Sequence, residues 1–300
     1  MQVHFGTDLL NPEWSRSVVC VGTFDGVHLG HQAVISEAKR QASARSLPLL
    51  VVTFDRHPAA ILAPDRCPPA LGSIGAKLRA LRQLDVPLTL VLPFDSALAA
   101  TSAQTFLERL LKGTLHAEQV VIGHDFAMGK DRVGSPDWLA NNIETVVVPP
   151  YEVDGRRVSS SLIRSLVTAG EMEEAARFLG RPFSIEGVVV QGAQLGRQLG
   201  YPTANLARSI RQVEPPDGVY SALADTPFGS YPAAVSIGLR PTVDETTRTI
   251  EAYLMDYKGD SLYGKSITLQ VRRRLRGQIK FETLDALKEQ MARDVEAARG

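Results

Sequence analysis

The residues best placed to do chemistry form one short run, Gly22-Thr23-Phe24-Asp25-Gly26-Val27-His28-Leu29-Gly30-His31. It comes directly after the apolar stretch Val18-Val19-Cys20-Val21 and leads at once into a helical pattern. The first N–H groups of a helix have no intrahelical partner, and the helix dipole is positive there, so the position suits a phosphate. Gly22, Gly26 and Gly30 let the backbone approach such a ligand. His28 and His31 can then face one phosphate chain. On residue types alone the run also reads as a glycine-rich turn with two solvated histidines, or as half of a metal site.

A second constellation lies in the other half. Gly192, Gly196 and Gly200 space a loop that contains Arg197 and runs into Tyr201-Pro202-Thr203-Ala204-Asn205. A glycine-rich loop alone usually marks turns. Glu251 sits between apolar Ile250 and Ala252, and by that alternation it is a solvated strand residue. Gly259-Asp260-Ser261-Leu262-Tyr263-Gly264-Lys265-Ser266 satisfies the P-loop pattern letter for letter. A P-loop must come after a strand and open a helix. Here Ser266-Ile267-Thr268-Leu269-Gln270-Val271 alternates as a strand, so the segment is read as a hairpin turn.

The elements that must position these residues differ between the halves. Short apolar runs over 18–22, 49–54, 88–92, 120–123 and 145–148 suit strands buried on both faces of a parallel sheet. Helical patterns over 30–45, 76–84, 103–111 and 136–141 separate them, which predicts an open α/β sheet. Such sheets bind ligands at the carboxyl ends of their strands, and the run 22–31 falls there. A helical stretch over 159–180 breaks at Ala169-Gly170 and stops at Pro182. Its serines, 159–161, are a natural cap. After Pro182, strands over 184–190, 219–224, 233–237, 247–254 and 267–272 alternate with Gly and Pro turns, as in a small antiparallel barrel or sandwich. A closing amphipathic helix places Leu284, Leu287, Met291 and Val295 on one face, expected to pack on the barrel. The expected domains are 1–181 and 182–300.

The motif Phe24-Asp25-Gly26-Val27-His28-Leu29-Gly30-His31, directly after a first strand, resembles the nucleotidyltransferase superfamily. Within it, the motif is similar to the bacterial bifunctional riboflavin kinase/FAD synthetase family. Thr53-Phe54-Asp55-Arg56-His57-Pro58, Gly123-His124-Asp125-Phe126-Ala127-Met128-Gly129-Lys130 and Ser159-Ser160-Ser161-Leu162-Ile163-Arg164 lie where that family has matching segments. Gly200-Tyr201-Pro202-Thr203-Ala204-Asn205 resembles the riboflavin kinase signature. The resemblance spans nearly the whole chain, with independent signatures in both halves. It implies a Rossmann-like α/β nucleotidyltransferase domain that adenylylates FMN to FAD, then a β-barrel domain that phosphorylates riboflavin to FMN. It further implies that His28, His31, Arg164, Ser160 and Ser161 serve the ATP phosphates, with Gly22, Phe24, Asp25, Gly30 and Asp125 in the same binding site. In the barrel, Gly192, Gly196, Arg197 and Pro202 would line the nucleotide site. Thr203 and Asn205 would supply oxygen ligands to Mg²⁺-ATP, and Glu251 would be the catalytic base. Segments 236–242 and 275–281 resemble family segments near the flavin. Asp125, Met128, Ser261 and Gln278 depart from common family residues.

The totals narrow the classes. The 300 residues carry 33 basic and 33 acidic side chains, so formal net charge is zero. A nucleic-acid binder would need a basic excess, and none is expected as a partner. Expected partners are riboflavin, FMN, FAD and ATP. Two cysteines, Cys20 and Cys67, give no disulfide framework or paired metal motif. No apolar run reaches membrane-spanning length, and a cytoplasmic location is expected. Oligomeric state stays open, a homo-oligomer included.

Overall fold

The computed structural model describes residues 1–8, 14–192, 196, 199–239 and 248–299. They form two compact units. The first comprises Met1–Ala70 with Ile74–Ser160; the second comprises Ser161–Gly300 together with the three residues Leu71–Ser73.

The first unit is a parallel sheet of β1 (Gln2–Phe5), β2 (Ser17–Val21), β3 (Leu49–Phe54), β4 (Leu88–Leu92), β5 (Ala117–Gly123) and β6 (Glu144–Val148), in the order β1-β4-β3-β2-β5-β6. Every residue of β2, β3 and β4 is buried, as expected of strands covered on both faces. Alternation divides them between two apolar layers. Val19, Val21, Leu50 and Val52 pack with Leu107 and Leu111. Val18, Cys20 and Val51 pack with Ile35 and Ala38 of helix α1 (Leu29–Arg45). Each large apolar side chain, fully buried, contributes roughly 1.5–3 kcal/mol.

The chain leaves central β2 toward β3 and β4, then crosses back to pair β5 on the other side of β2. That reversal is a topological switch point, where open α/β sheets bind ligands. Beyond β6, β7 (Glu152–Val153) and β8 (Arg156–Arg157) form a hairpin. Its turn, Asp154-Gly155, has φ of 51° and 70°, the I′ pattern that suits two-residue hairpins.

Several boundaries move from the sequence expectation. Edge strand β1 is added. The helix expected over 103–111 is a short α-turn that continues into nine π-helical residues, Phe106–Thr114. Gly113 explains where the wide turn closes: a Cβ there would lie 2.9 Å from the Glu108 carbonyl oxygen, the i, i+5 partner of a π-turn.

In the second unit, helices α7 (Ser160–Ala169, whose first residue groups with the first unit) and α8 (Met172–Leu179) precede a closed six-stranded barrel. The first-unit helices α2 (Ala59–Leu62), α3 (Ile74–Gln83), α4 (Ser96–Ala100), α5 (Ala103–Thr105) and α6 (Pro136–Ala140) complete the numbering. Barrel strands are β9 (Phe183–Val190), β10 (Thr203–Ala207), β11 (Gly218–Thr226), β12 (Gly229–Leu239), β13 (Arg248–Leu254) and β14 (Ser266–Arg276). They close as β10-β13-β12-β11-β14-β9 with all pairs antiparallel. Ile185, Tyr220, Val235, Ile237, Ala252, Leu269 and Val271 are buried in it. Gly259–Ser266 leads into β14 and opens no helix, so the P-loop pattern is a coincidence of letters.

The C-terminal helix, Leu284–Arg299, packs on β11, β12 and β14, with Leu287, Met291 and Val295 of the expected face half-buried. Leu284 is 60% exposed, against the expectation, while Asp294 and Ala298 are buried. Arg276 makes this tolerable: its Nε and Nη2 donate to the two Asp294 oxygens at 2.8 and 2.6 Å, and Gln290 adds a bond at 2.8 Å. A buried carboxylate needs such a full set of partners.

Candidate functional sites in the two units

At the end of β2 the chain turns sharply into α1. Phe24, Gly26 and Val27 all have positive φ, at 47°, 80° and 40°. His28 is the N-cap, extended at φ −72° and ψ 172°, and its Nδ1 accepts from the His31 backbone N–H at 3.3 Å. An imidazole thus fills the place usually taken by Ser or Asp. An accepting Nδ1 puts the proton of the neutral ring on Nε2, so the other edge of His28 is a donor. The His28 and His31 rings stack at 3.6 Å and 17°, and the Phe24 ring meets His31 edge-on at 5.4 Å. The two histidines therefore form one rigid block at the start of α1.

The glycines acquire a definite role. A Cβ on Gly22 would lie 2.7 Å from the Phe24 ring, and one on Gly30 would lie 3.2 Å from the His28 ring. Both positions make room for the rings beside them. The Ser160 hydroxyl donates to the Asp25 carbonyl at 3.1 Å. At the end of β5, on the other side of the switch point, Asp125 is exposed and its carboxylate accepts from Arg157 at 2.7 Å. Gly22, Phe24, Asp25, His28, Gly30, His31 and Ser160 are thus gathered around one turn. Ser161, exposed, and Arg164, half-buried, lie on α7 and group with the second unit.

One residue of this region escapes the sequence reading. The ammonium of Lys77, on α3, is buried. Its Nζ donates to Thr23 O at 2.7 Å, Phe54 O at 2.9 Å and Thr53 Oγ1 at 3.2 Å. Burial lowers its pKa to about 8, with Asp25 and Asp55 acting in the opposite direction. The signal was its spacing: Lys77 shares a helix face with Ala80 and Leu81, both buried, an apolar position for a cation.

In the barrel unit, the motif residues lie on a strand. Thr203 and Asn205 sit on β10, where Asn205 is in register with Glu251 and Thr203 with Tyr253 of β13. The Thr203 hydroxyl donates to Glu251 Oε2 at 3.2 Å. Asn205 is buried, and a Cβ on Gly192 would overlap its side chain. A Cβ on Gly196 would overlap the Tyr201 carbonyl and stand 3.5 Å from Thr203. Pro202, exposed, immediately precedes β10, a position where its missing N–H costs the ladder nothing. Glu251 is half-buried and hydrogen-bonded, with Ile250 and Ala252 turned into the core. Thr203 and Asn205 bring two side-chain oxygens together beside Glu251, and such donors suit a hard divalent cation completed by nucleotide phosphates. Arg197, with the neighbouring loop residues 193–195 and 198, lies outside the described residues, as do residues 240–242. Gln278 donates to the Ile237 carbonyl at 3.1 Å.

Comparison with known proteins divides the chain in the same sense. Residues 10–162 match the FAD synthetase family and residues 179–300 match the riboflavin kinase family. The bifunctional riboflavin kinase/FMN adenylyltransferase of Pseudomonas fluorescens is 37% identical, over all of this chain and 97% of its own length. The protein of that name from Escherichia coli K12 is 35% identical over 94% of this chain and 91% of its own, and that from Bacillus subtilis 34% over 97% and 94%. Among solved structures, one from Streptococcus pneumoniae, described as a macrolide-efflux protein, superposes with a TM-score of 0.89 at 31% identity. It covers 100% of this chain and 99% of that one. Among the described residues no helix is long and apolar enough to cross a membrane.

Proposed function

The chain belongs to the bifunctional riboflavin kinase/FMN adenylyltransferase family, and on that premise we propose which residues carry each half-reaction. The overall chemistry is ATP + riboflavin → ADP + FMN, then ATP + FMN → FAD + pyrophosphate. The observation that carries the assignment is the presence of two separate motifs, the turn 22–31 in the first unit and the β10–β13 pair in the second, each in a segment with its own family match.

Adenylylation belongs to the turn after β2. The FMN phosphate attacks the α-phosphorus of ATP, and both reactants are anions. The protein must align them and neutralise charge that grows on the α- and β-phosphates. His28 and His31, held as one block, supply donors at the α1 N-terminus, with Ser160, Ser161 and Arg164 as further phosphate ligands. Gly22, Phe24, Asp25 and Gly30 shape the turn, and Asp125 borders the flavin. The attacking phosphate is already ionised, so this step needs no general base.

Phosphorylation belongs to β10 and β13. Glu251 takes the proton of the ribityl 5′-hydroxyl as that oxygen attacks the γ-phosphorus. Thr203 and Asn205 hold Mg²⁺-ATP, while Gly192, Gly196, Arg197 and Pro202 line the nucleotide. Bound Mg²⁺ would neutralise phosphate charge. The functional halves are 1–181 and 182–300, and a cytoplasmic location is part of the same proposal. Incubating the protein with riboflavin and Mg-ATP and resolving flavins by chromatography tests the scheme. FMN should accumulate first and FAD later; FMN without FAD, or neither, would refute it.

A further inference from the structure

The turn that carries His28 and His31 is strained, and side chains from four elements hold its carbonyl oxygens. Positive φ at an aromatic and a β-branched residue, Phe24 and Val27, persists only where the surroundings over-determine it. Thr23 O accepts from Lys77 and from the Thr53 hydroxyl of β3, at 2.7 and 3.1 Å; Asp25 O accepts from Ser160 at 3.1 Å and Val27 O from the Gln32 amide at 3.0 Å. Within the turn, Phe24 O accepts from Val27 N at 3.1 Å.

Lys77 differs from the other three. It is a buried charge, and its two other bonds reach the end of β3, at Thr53 Oγ1 and Phe54 O. One ammonium therefore ties the turn after β2 to the neighbouring strand. An ammonium has three donors, and these three acceptors use them all. Lys77 has none left for a phosphate and must act through the turn. The carboxylates of Asp25 and Asp55 lie near enough to support its charge.

We propose that Lys77 is a positioning residue for adenylyl transfer: it fixes the turn 23–27, and through it His28 and His31, in the geometry that the attack of FMN on ATP requires. The proposal rests on the assignment of that turn to FMN adenylylation. Lys77→Met in the full-length chain keeps the apolar stem and removes the donors. The kcat for FAD formation from FMN should fall ~10²-fold, the loss expected from a misplaced reactant. The KM for ATP should stay within about threefold, because no ground-state contact is removed. Riboflavin phosphorylation should be unchanged. Both tryptophans, Trp14 and Trp138, lie in the first unit, so the tryptophan unfolding transition reports whether that unit is intact. Lys77→Gln is a milder companion, keeping two amide donors on a shorter stem without the charge, and should lower the same kcat several-fold with the transition retained.

Parent kcat in Lys77→Met, or a raised KM with kcat unchanged, overturns the proposal. If Lys77→Met loses the tryptophan transition, Lys77→Gln decides: reduced kcat in a folded unit supports the role, and parent kcat removes it. His31→Ala, run alongside, separates the premise. Should it make FAD at the parent rate, the assignment of the turn falls and the proposal with it. If His31→Ala is crippled while Lys77→Met is not, only the proposal falls.

Discussion

Glu251 and Lys77 show how differently single residues can be read. By alternation Glu251 is an outward strand residue, and its position on the face opposite Ile250 and Ala252 comes from that pattern alone. Its bond to Thr203 and its register with Asn205 need the fold, because 46 residues separate Asn205 from Glu251 in the sequence. Glu251→Gln should lower riboflavin turnover by ~10²–10⁴, the usual worth of a general base, and leave adenylylation of supplied FMN intact. Both turnovers are measured on one purified sample; near-parent riboflavin turnover would reduce Glu251 to a strand residue. Lys77 was not legible, because lysines on helices are ordinarily solvated. Its burial makes a second prediction, about pH. The folded state loses the Lys77 proton near pH 8, while the unfolded chain keeps it to the ordinary value of 10.5. Between those limits the unfolded state binds more protons, so this residue adds stability as pH rises. Below pH 8 the buried charge costs roughly 3 kcal/mol. Urea unfolding monitored by tryptophan fluorescence should show the parent gaining on Lys77→Met between pH 7.5 and 10. A difference that stays constant with pH would mean that Lys77 is not perturbed.

At the scale of elements, the parallel sheet was legible because its central strands are unbroken apolar runs, as in Leu49-Leu50-Val51-Val52. The strands that were missed share the opposite trait. β1 is a short alternating edge strand, Gln2-Val3-His4-Phe5, with its end residues exposed and its middle two half-buried. β10 carries the motif itself, and its flanking Gly200 and Pro202 read as a loop. It is a strand because β9 and β13 pair with it on both sides and close the barrel, which removes the sheet's edges. That closure is what brings Thr203 and Asn205 beside Glu251. The C-terminal helix shows a second limit. Apolar spacing selects the face with Leu284, but the Arg276–Asp294 pair turns a carboxylate inward, and pairing across 18 residues cannot be read from periodicity.

At the scale of the molecule, the change of rhythm at Pro182 marks where the barrel begins, yet the compact unit begins at Ser161. Helix α8 explains the difference. Met172, Ala175, Phe178 and Leu179 are buried, and α8 packs against β9 and β14. The three larger side chains together contribute on the order of 5 kcal/mol, a large share of the roughly 5–15 kcal/mol typical of a domain. The catalytic residues assigned to phosphorylation all lie within 182–300, so a fragment 181–300 should still make FMN from riboflavin where it is folded. A fragment Ser161–Gly300 should make it as well and melt at a distinctly higher temperature. Both lack Leu71–Ser73, so Gln212 loses the Leu71 carbonyl but keeps that of Ser184 at 2.7 Å, and Glu186 loses the Ser73 hydroxyl. Each such loss costs about 1 kcal/mol, less than the loss of α8. Neither fragment should make FAD, since the turn with His28 and His31 is absent. Thermal unfolding by circular dichroism, paired with chromatography of the flavins, checks all of this on two proteins. FAD from either fragment would place adenylylation in the wrong half. Equal melting temperatures would show that α8 contributes nothing to the barrel, and an inactive but folded Ser161–Gly300 would show that phosphorylation needs residues that precede Ser161.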